Sequence, residues 1–204
     1  MPYGEFSKAP LWADTRAPPA AAPANVARYR PKAPLRAIFQ NPRGSHRLML
    51  VRTFKPSDTD ALAALFHASV REVGIRDYSL EQVVAWSPSK PDPAKYCHRA
   101  ERRMFFVAEN GAGGLIGYAD LDLDGHIDHL YCRPDAVGIG AGSALYAAIE
   151  NAAKERGFAV LFVEASVAAR RLFERQGFNV EARNDFCVNG VAIHNYRMSK
   201  SIRG

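Results

Sequence analysis

The sequence predicts an α/β protein, a mixed sheet covered by helices. Three observations carry this. From residue 48 onward, runs with the period of a strand and runs with the period of a helix follow the order β-α-α-α-β-β-β-α-β-α-β-β. Two-residue turns, Asp124-Gly125 and Asn189-Gly190, each join strand-like runs, so those neighbours are antiparallel. A glycine stretch, Val137 to Gly142, connects a strand to an Ala- and Leu-rich helix.

Residues 48–54 read as the first strand. Ser57 is the expected N-cap of a helix carrying Leu62, Leu65, Phe66 and Val70 at helical spacing. SLEQVVAW is a second short helix, capped by Ser79; SPSKPDP is a loop; residues 94–102 form a third helix. Strands follow at 104–109 and 115–123, joined by the turn NGAGG, and then at 126–132. The expected remainder is helix 143–156, strand 158–165, helix 167–176, and strands near 178–188 and 191–199.

The bulk numbers narrow the class. A chain of 204 residues with 48% hydrophobic and 24% charged residues suits one globular domain with a sizeable core. No apolar run approaches the roughly 20 residues that span a bilayer. The N-terminus lacks the layout of a secretory signal, so a cytoplasmic protein without a membrane partner is expected. Cys97, Cys132 and Cys187 are odd in number and far apart, matching neither a disulfide framework nor a zinc site. His126 and His129 are the two close histidines, and without further ligands nearby no metal is expected.

The net charge of +6 is unevenly placed. Residues 1–48 hold eight Lys or Arg against two Asp or Glu, whereas residues 49–204 hold nineteen of each. The body is neutral, so nucleic acid is not an expected partner. That first quarter also carries eight of the thirteen prolines. Such a composition buries too little apolar surface to offset ordering entropy, and residues 1–47 are expected to be disordered. A basic tail and a transit peptide are both open readings, as is translation from Met49; PRGSH at 42–46 resembles a tag remnant. The folded domain is then 48–204.

The glycine stretch has two readings. A helix N-terminus offers unpaired N–H groups and the positive end of a dipole, and glycines let an anion approach them. Glycine also permits tight turning and close helix–sheet packing. The dinucleotide fingerprint is not met, because Ser143 stands where its third glycine would fall; the P-loop fails for want of a following Lys-Ser or Lys-Thr. Spacing alone leaves both open.

The segment LYCRPDAVGIGAGSALYAAIENAAKERGF resembles the central motif of the GNAT N-acetyltransferases, including Pro134 before the loop and Gly157-Phe158 after the helix. The later ASVAARRLFERQGF resembles that family's second motif, ending in Gly177-Phe178. The resemblance covers about residues 49–200. It implies a mixed, mostly antiparallel sheet flanked by helices and splayed at the strand preceding the CoA loop. It also implies acetyl transfer from acetyl-CoA to an amine of a small molecule or peptide, by direct attack on the thioester. In cofactor binding it assigns the pyrophosphate to backbone around Val137, Gly138, Gly140, Gly142 and Ser143, and the pantetheine arm to the backbone of Leu130 and Cys132. A homodimer is compatible with this reading.

Two departures stand out. The family prefers Arg or Gln where this chain has Val137, which leaves the cradle to backbone amides. Many members place a proton-donating tyrosine where this chain has Phe173, and a phenyl ring has no proton to donate. A thiol with a pKa of about 8.5 tolerates unassisted departure as thiolate.

Candidate side chains follow. On a continuous strand, His126, Asp128, Leu130 and Cys132 share one face. Asp128 then offers a base, or else a solvated turn residue, with His126 facing the substrate. Glu164 ends the next strand as an amine anchor, a base, or a helix cap. Tyr196 is a candidate replacement for the missing acid. Tyr78 and Trp86, in RDYSLEQVVAW, resemble a pattern of small-substrate bacterial members in which the early helices shape the acceptor pocket; both also suit a core. The competing class is an acyl-CoA-binding protein with little catalysis, motivated by Val137 and Phe173.

Overall fold

The computed structural model describes residues 35–40 and 46–203. Within them, one five-stranded sheet has the order β1-β2-β3-β4-β6 and a four-stranded sheet the order β5-β7-β9-β8. The strands are β1 Leu35–Gln40, β2 His46–Thr53, β3 Met104–Asn110, β4 Leu115–Leu121, β5 His126–Ile127, β6 Leu130–Cys132, β7 Val160–Ala165, β8 Asn179–Val188 and β9 Val191–Ser201. The helices are α1 Thr59–Ala68, α2 Leu80–Trp86, α3 Ala94–Ala100, α4 Ala141–Glu155 and α5 Val167–Arg175. All strand pairings are antiparallel except β5 with β7.

Expected disorder over 1–47 fails at LRAIFQ. Leu35–Gln40 pairs antiparallel with β2, from Leu35 opposite Val51 to Gln40 opposite His46. This proline-free run supplies the backbone partners that β2 would otherwise lack on that side. Residues 1–34 and 41–45, with the tail and transit-peptide readings, lie outside the described residues. The expected Ser57 cap is also replaced. A 3-10 turn occupies Pro56–Asp58, and the Asp58 carboxylate accepts the Lys55 N–H at 2.7 Å and an Arg52 guanidinium N–H at 2.8 Å.

Local signals succeed where they are strong. Ser79 caps α2 in a capping box: its hydroxyl accepts the Gln82 N–H, and the Gln82 amide oxygen accepts the Ser79 N–H. Asn189 and Gly190, both at positive φ, turn β8 into β9.

The decisive feature is a break. HIDHLYC is not one strand: His126 and Ile127 pair parallel with Phe162 and Val163, while Leu130 to Cys132 pair antiparallel with β4. The one-face grouping of His126, Asp128, Leu130 and Cys132 is therefore corrected. Two cores flank the sheets. Leu145, Ile149 and other apolar residues of α4 pack with Met104, Phe106, Leu161 and Val163 on one side; Leu62, Phe66, Val83 and Tyr96 of α1–α3 pack with Phe105, Val107 and Tyr118 on the other. No helix among the described residues is long and apolar enough to cross a membrane.

Candidate active site

The helix start is uncapped by any side chain. Gly140 is the N-cap of α4 with φ 92°, and no side-chain hydrogen bond caps it. Gly138 also has positive φ, at 83°, so the loop turns twice through the left-handed region. The Ala144 N–H is the first to reach back to the Gly140 carbonyl, leaving the preceding amides of Ala141, Gly142 and Ser143 without that helical bond. Val137 is 42% exposed and sends its side chain away from the core. Gly142 has a packing reason as well: a Cβ there would meet Leu172 Cδ2 at 3.0 Å, Leu130 Cδ2 at 3.6 Å and Cys132 Sγ at 3.8 Å. The packing reading of the glycine stretch holds at Gly142, and Gly138 and Gly140 supply the tight turning.

The strand before this loop has an open edge. The His129 carbonyl accepts the Asp120 N–H at 3.0 Å, and the Arg133 N–H reaches the Ile116 carbonyl at 2.9 Å. Residues 129, 131 and 133 thus turn their backbone groups toward β4. By alternation, Leu130 and Cys132 turn theirs the opposite way. Among the described residues β6 is the last strand of its sheet, and that side carries no further strand. The gap between β6 and β7 can accept an extended chain such as a pantetheine arm. The residues present fit acetyl-CoA: uncapped amides for its phosphates and an unpaired strand edge for its arm.

On β7, Leu161, Val163 and Ala165 bury into the core beneath α4, while Phe162 and Glu164 alternate to the opposite face. There His126 Nε2 lies 2.6 Å from Glu164 Oε2. The imidazole stacks on Phe162 with centroids 4.9 Å apart and is nearly buried, whereas the Glu164 side chain is 22% exposed. Burial opposes the imidazolium, but the Glu164 hydrogen bond and charge, helped by Asp128, raise the His126 pKa above its ordinary value. Arg197 stands 3.9 Å from the other Glu164 oxygen. The helix-cap reading of Glu164 falls away, because Ser166 caps α5 by accepting the Ala169 N–H.

Asp128 is corrected as a base. Its carboxylate accepts from Arg99 at 2.6 Å and faces Arg103 at 3.4 Å. Burial alone would raise its pKa; His129 and the two guanidiniums outweigh this and hold it well below the usual carboxylate range. A carboxylate so held has little affinity for a proton. Asp120, fully buried on β4, shares Arg99 at 2.7 Å and accepts the His129 N–H at 3.2 Å. This clamp fixes the break between β5 and β6. Sequence reasoning missed Arg99, Arg103 and Asp120; the available signal was the i,i+4 arginine pair in HRAERR, which puts both guanidiniums on one side of the chain.

Tyr78 is also reassigned. Its hydroxyl donates to the His194 carbonyl at 2.9 Å and accepts the Val167 N–H at 3.0 Å, tying α5 to β9. Burial pushes this phenol up to about 12, and its hydrogen-bonding is spent on the scaffold. Trp86 packs edge-on against Tyr78 at 5.7 Å, with its buried indole N–H unpartnered among the described residues. Tyr196 stands opposite Ala165 at the end of β7, with the Arg170 guanidinium 4.5 Å over its ring. Phe173 is 1% exposed, packed against Tyr146 and Phe178. Burial pushes the Cys132 thiol up to about 12, which disfavours the nucleophilic thiolate.

Residues 75–200 match the family described as an acetyltransferase (GNAT) domain. YafP of Escherichia coli K12, an uncharacterized N-acetyltransferase, is 26% identical over 148 residues, covering 72% of this chain and 93% of its own. A GCN5-related N-acetyltransferase from Rhodopseudomonas palustris is similar in structure, with TM-score 0.69 and 36% identity over 74% of this chain and 94% of that one. The yncA putative acetyltransferase from Salmonella typhimurium, solved with its cofactor acetyl-CoA, shares the fold at TM-score 0.61 and 19% identity, covering 76% of this chain and 95% of its own.

Proposed function

The chain belongs to the GNAT acetyltransferase family, and on that premise we propose that it moves an acetyl group from acetyl-CoA to an amine of a small molecule or peptide. The carrying observation is the His126–Glu164 pair at 2.6 Å, standing where β5 and β7 part company with β6. The catalytic domain is residues 48–204, with Leu35–Gln40 added along its edge.

Backbone amides from Gly138 to Ser143 hold the pyrophosphate, with Val137 adding no polar contact. The backbone of Leu130 and Cys132 pairs with the pantetheine arm. The amine attacks the thioester carbon directly, and its proton passes to Glu164. His126 orients that carboxylate through Nε2, leaving the second oxygen for the amine. Protonation of His126 would draw charge from Glu164 and weaken it as a base, so the active form carries a neutral imidazole. Trp86 and Tyr196 stay with the acceptor side as wall residues, Tyr196 being at the same strand end as Glu164.

The test is thiol release from acetyl-CoA across a panel of amines, beside calorimetry with CoA. Amine-dependent release is expected. Tight CoA binding without it across the panel would leave an acyl-CoA-binding protein instead.

A further inference from the structure

Phe173 leaves the reaction without the family's usual hydroxyl, and the position of another phenol is informative. On β6, the side chains of Leu130 and Cys132 lie against Gly142 of α4, so Tyr131 between them points to the opposite face. There its ring meets Phe66 of α1 edge-on at 4.9 Å and stacks with Tyr118 at 5.7 Å. This is the same face on which β7 presents Glu164. Tyr131 and Glu164 therefore flank the gap between the parted strands from either side.

No hydrogen bond of the Tyr131 hydroxyl is found among the described residues, and the residue is half-buried. The other phenols near it are spent: Tyr118 on His129 at 3.1 Å, and Tyr78 on Val167 and His194. By alternation the Tyr131 side chain lies on the Glu164 face of the sheets, beside the gap. Burial and the Asp128 charge raise its pKa, so it keeps its proton and serves as a donor across the working pH range. A half-buried donor with no internal partner gains most from a ligand that accepts its proton.

We propose that Tyr131 is a catalytic residue, donating a hydrogen bond to the oxygen of the thioester as negative charge develops there. The inference rests on the acetyl-transfer reading above. The amine lone pair forms the C–N bond while the carbonyl π pair moves onto oxygen, which Tyr131 holds without giving up its proton. The pair then returns, the C–S bond breaks, and sulfur leaves as thiolate. The proton that Glu164 took from the amine neutralises that thiolate, so the cycle needs no other reactant.

The experiment measures steady-state kinetics and CoA calorimetry on the full chain, with an amine found active for the native protein. Tyr131→Phe is expected to lower kcat by roughly a hundredfold or more, the usual effect of deleting one oxyanion donor, with CoA affinity unchanged. A polyfluorinated tyrosine at position 131 keeps the shape and makes the phenol markedly more acidic. It is expected to retain activity at low pH and to introduce a loss of kcat at alkaline pH as the phenol ionises. This second variant also decides the matter should Tyr131→Phe fold poorly. Unchanged kcat in Tyr131→Phe, or no new alkaline limb with the fluorinated residue, overturns the proposal alone. Absence of amine-dependent thiol release from the native protein would overturn it together with acetyl transfer.

Discussion

His126 Nε2 lies 2.6 Å from Glu164 Oε2, across the parallel pairing of β5 with β7. The inner imidazole is nearly buried and the outer carboxylate is partly open to solvent, as the proposed mechanism requires of an orienting partner and a base that meets substrate. Glu164→Gln keeps the shape and removes the base. It should lower kcat/KM by roughly two to four orders of magnitude, the range general-base catalysis supplies. Steady-state assays with acetyl-CoA fixed at saturation would check this, and the apparent KM for acetyl-CoA should scarcely move.

The raised pKa of His126 sets two opposite pH trends. On the proposed mechanism activity needs the neutral imidazole, so kcat should rise with pH through a limb lying above the ordinary His value of about 6.5. Stability runs the other way. A folded pKa above the unfolded one contributes stability that is complete below about pH 6.5 and is lost as pH climbs through the folded value. In His126→Asn both trends should vanish, as read by a pH–rate profile and by chemical denaturation at several pH values.

Tyr78→Phe should damage the scaffold rather than the chemistry. It leaves the Val167 N–H and the His194 carbonyl without their partner, which costs about 1–3 kcal/mol for buried groups. For a chain of this size that is a fall in Tm of several degrees, roughly 2–4 °C per kcal/mol, with kcat little changed. A large loss of kcat at unchanged Tm would return Tyr78 to the acceptor pocket.

Asp128→Ala tests the clamp. It leaves Arg99 to Asp120 and Arg103 to Asp120 and Asp122, so the cost should stay below the about 3–5 kcal/mol of a fully broken buried pair. Because its folded pKa is depressed, the native Asp128 contribution is present above about pH 4 and is lost as pH falls through the folded value. Denaturation midpoints of the two proteins should therefore converge in acid.

These outcomes also mark what one chain of letters can convey. Ser79 and Asn189-Gly190 act through their immediate neighbours, so their roles were legible from spacing. The break in HIDHLYC was not, because its alternation suits a continuous strand. What divides it is Arg99 and Asp120, brought together from α3 and β4 by tertiary packing. The His126–Glu164 contact spans 38 residues for the same reason. Tyr78 looked like a pocket aromatic, since no local pattern reveals that a hydroxyl will cap a helix 89 residues away. LRAIFQ was hidden by the prolines on either side of it, although the run itself contains none.

Direct attack on the thioester is the claim most open to a single measurement. Intact-mass analysis of the chain mixed with acetyl-CoA, first without and then with an active amine, separates it from a covalent route. With burial holding Cys132 as a thiol, the chain should stay unmodified until amine is added, and N-acetylated product should then appear in step with free CoA. An acetylated chain that forms without amine and discharges at the rate of turnover would contradict the account.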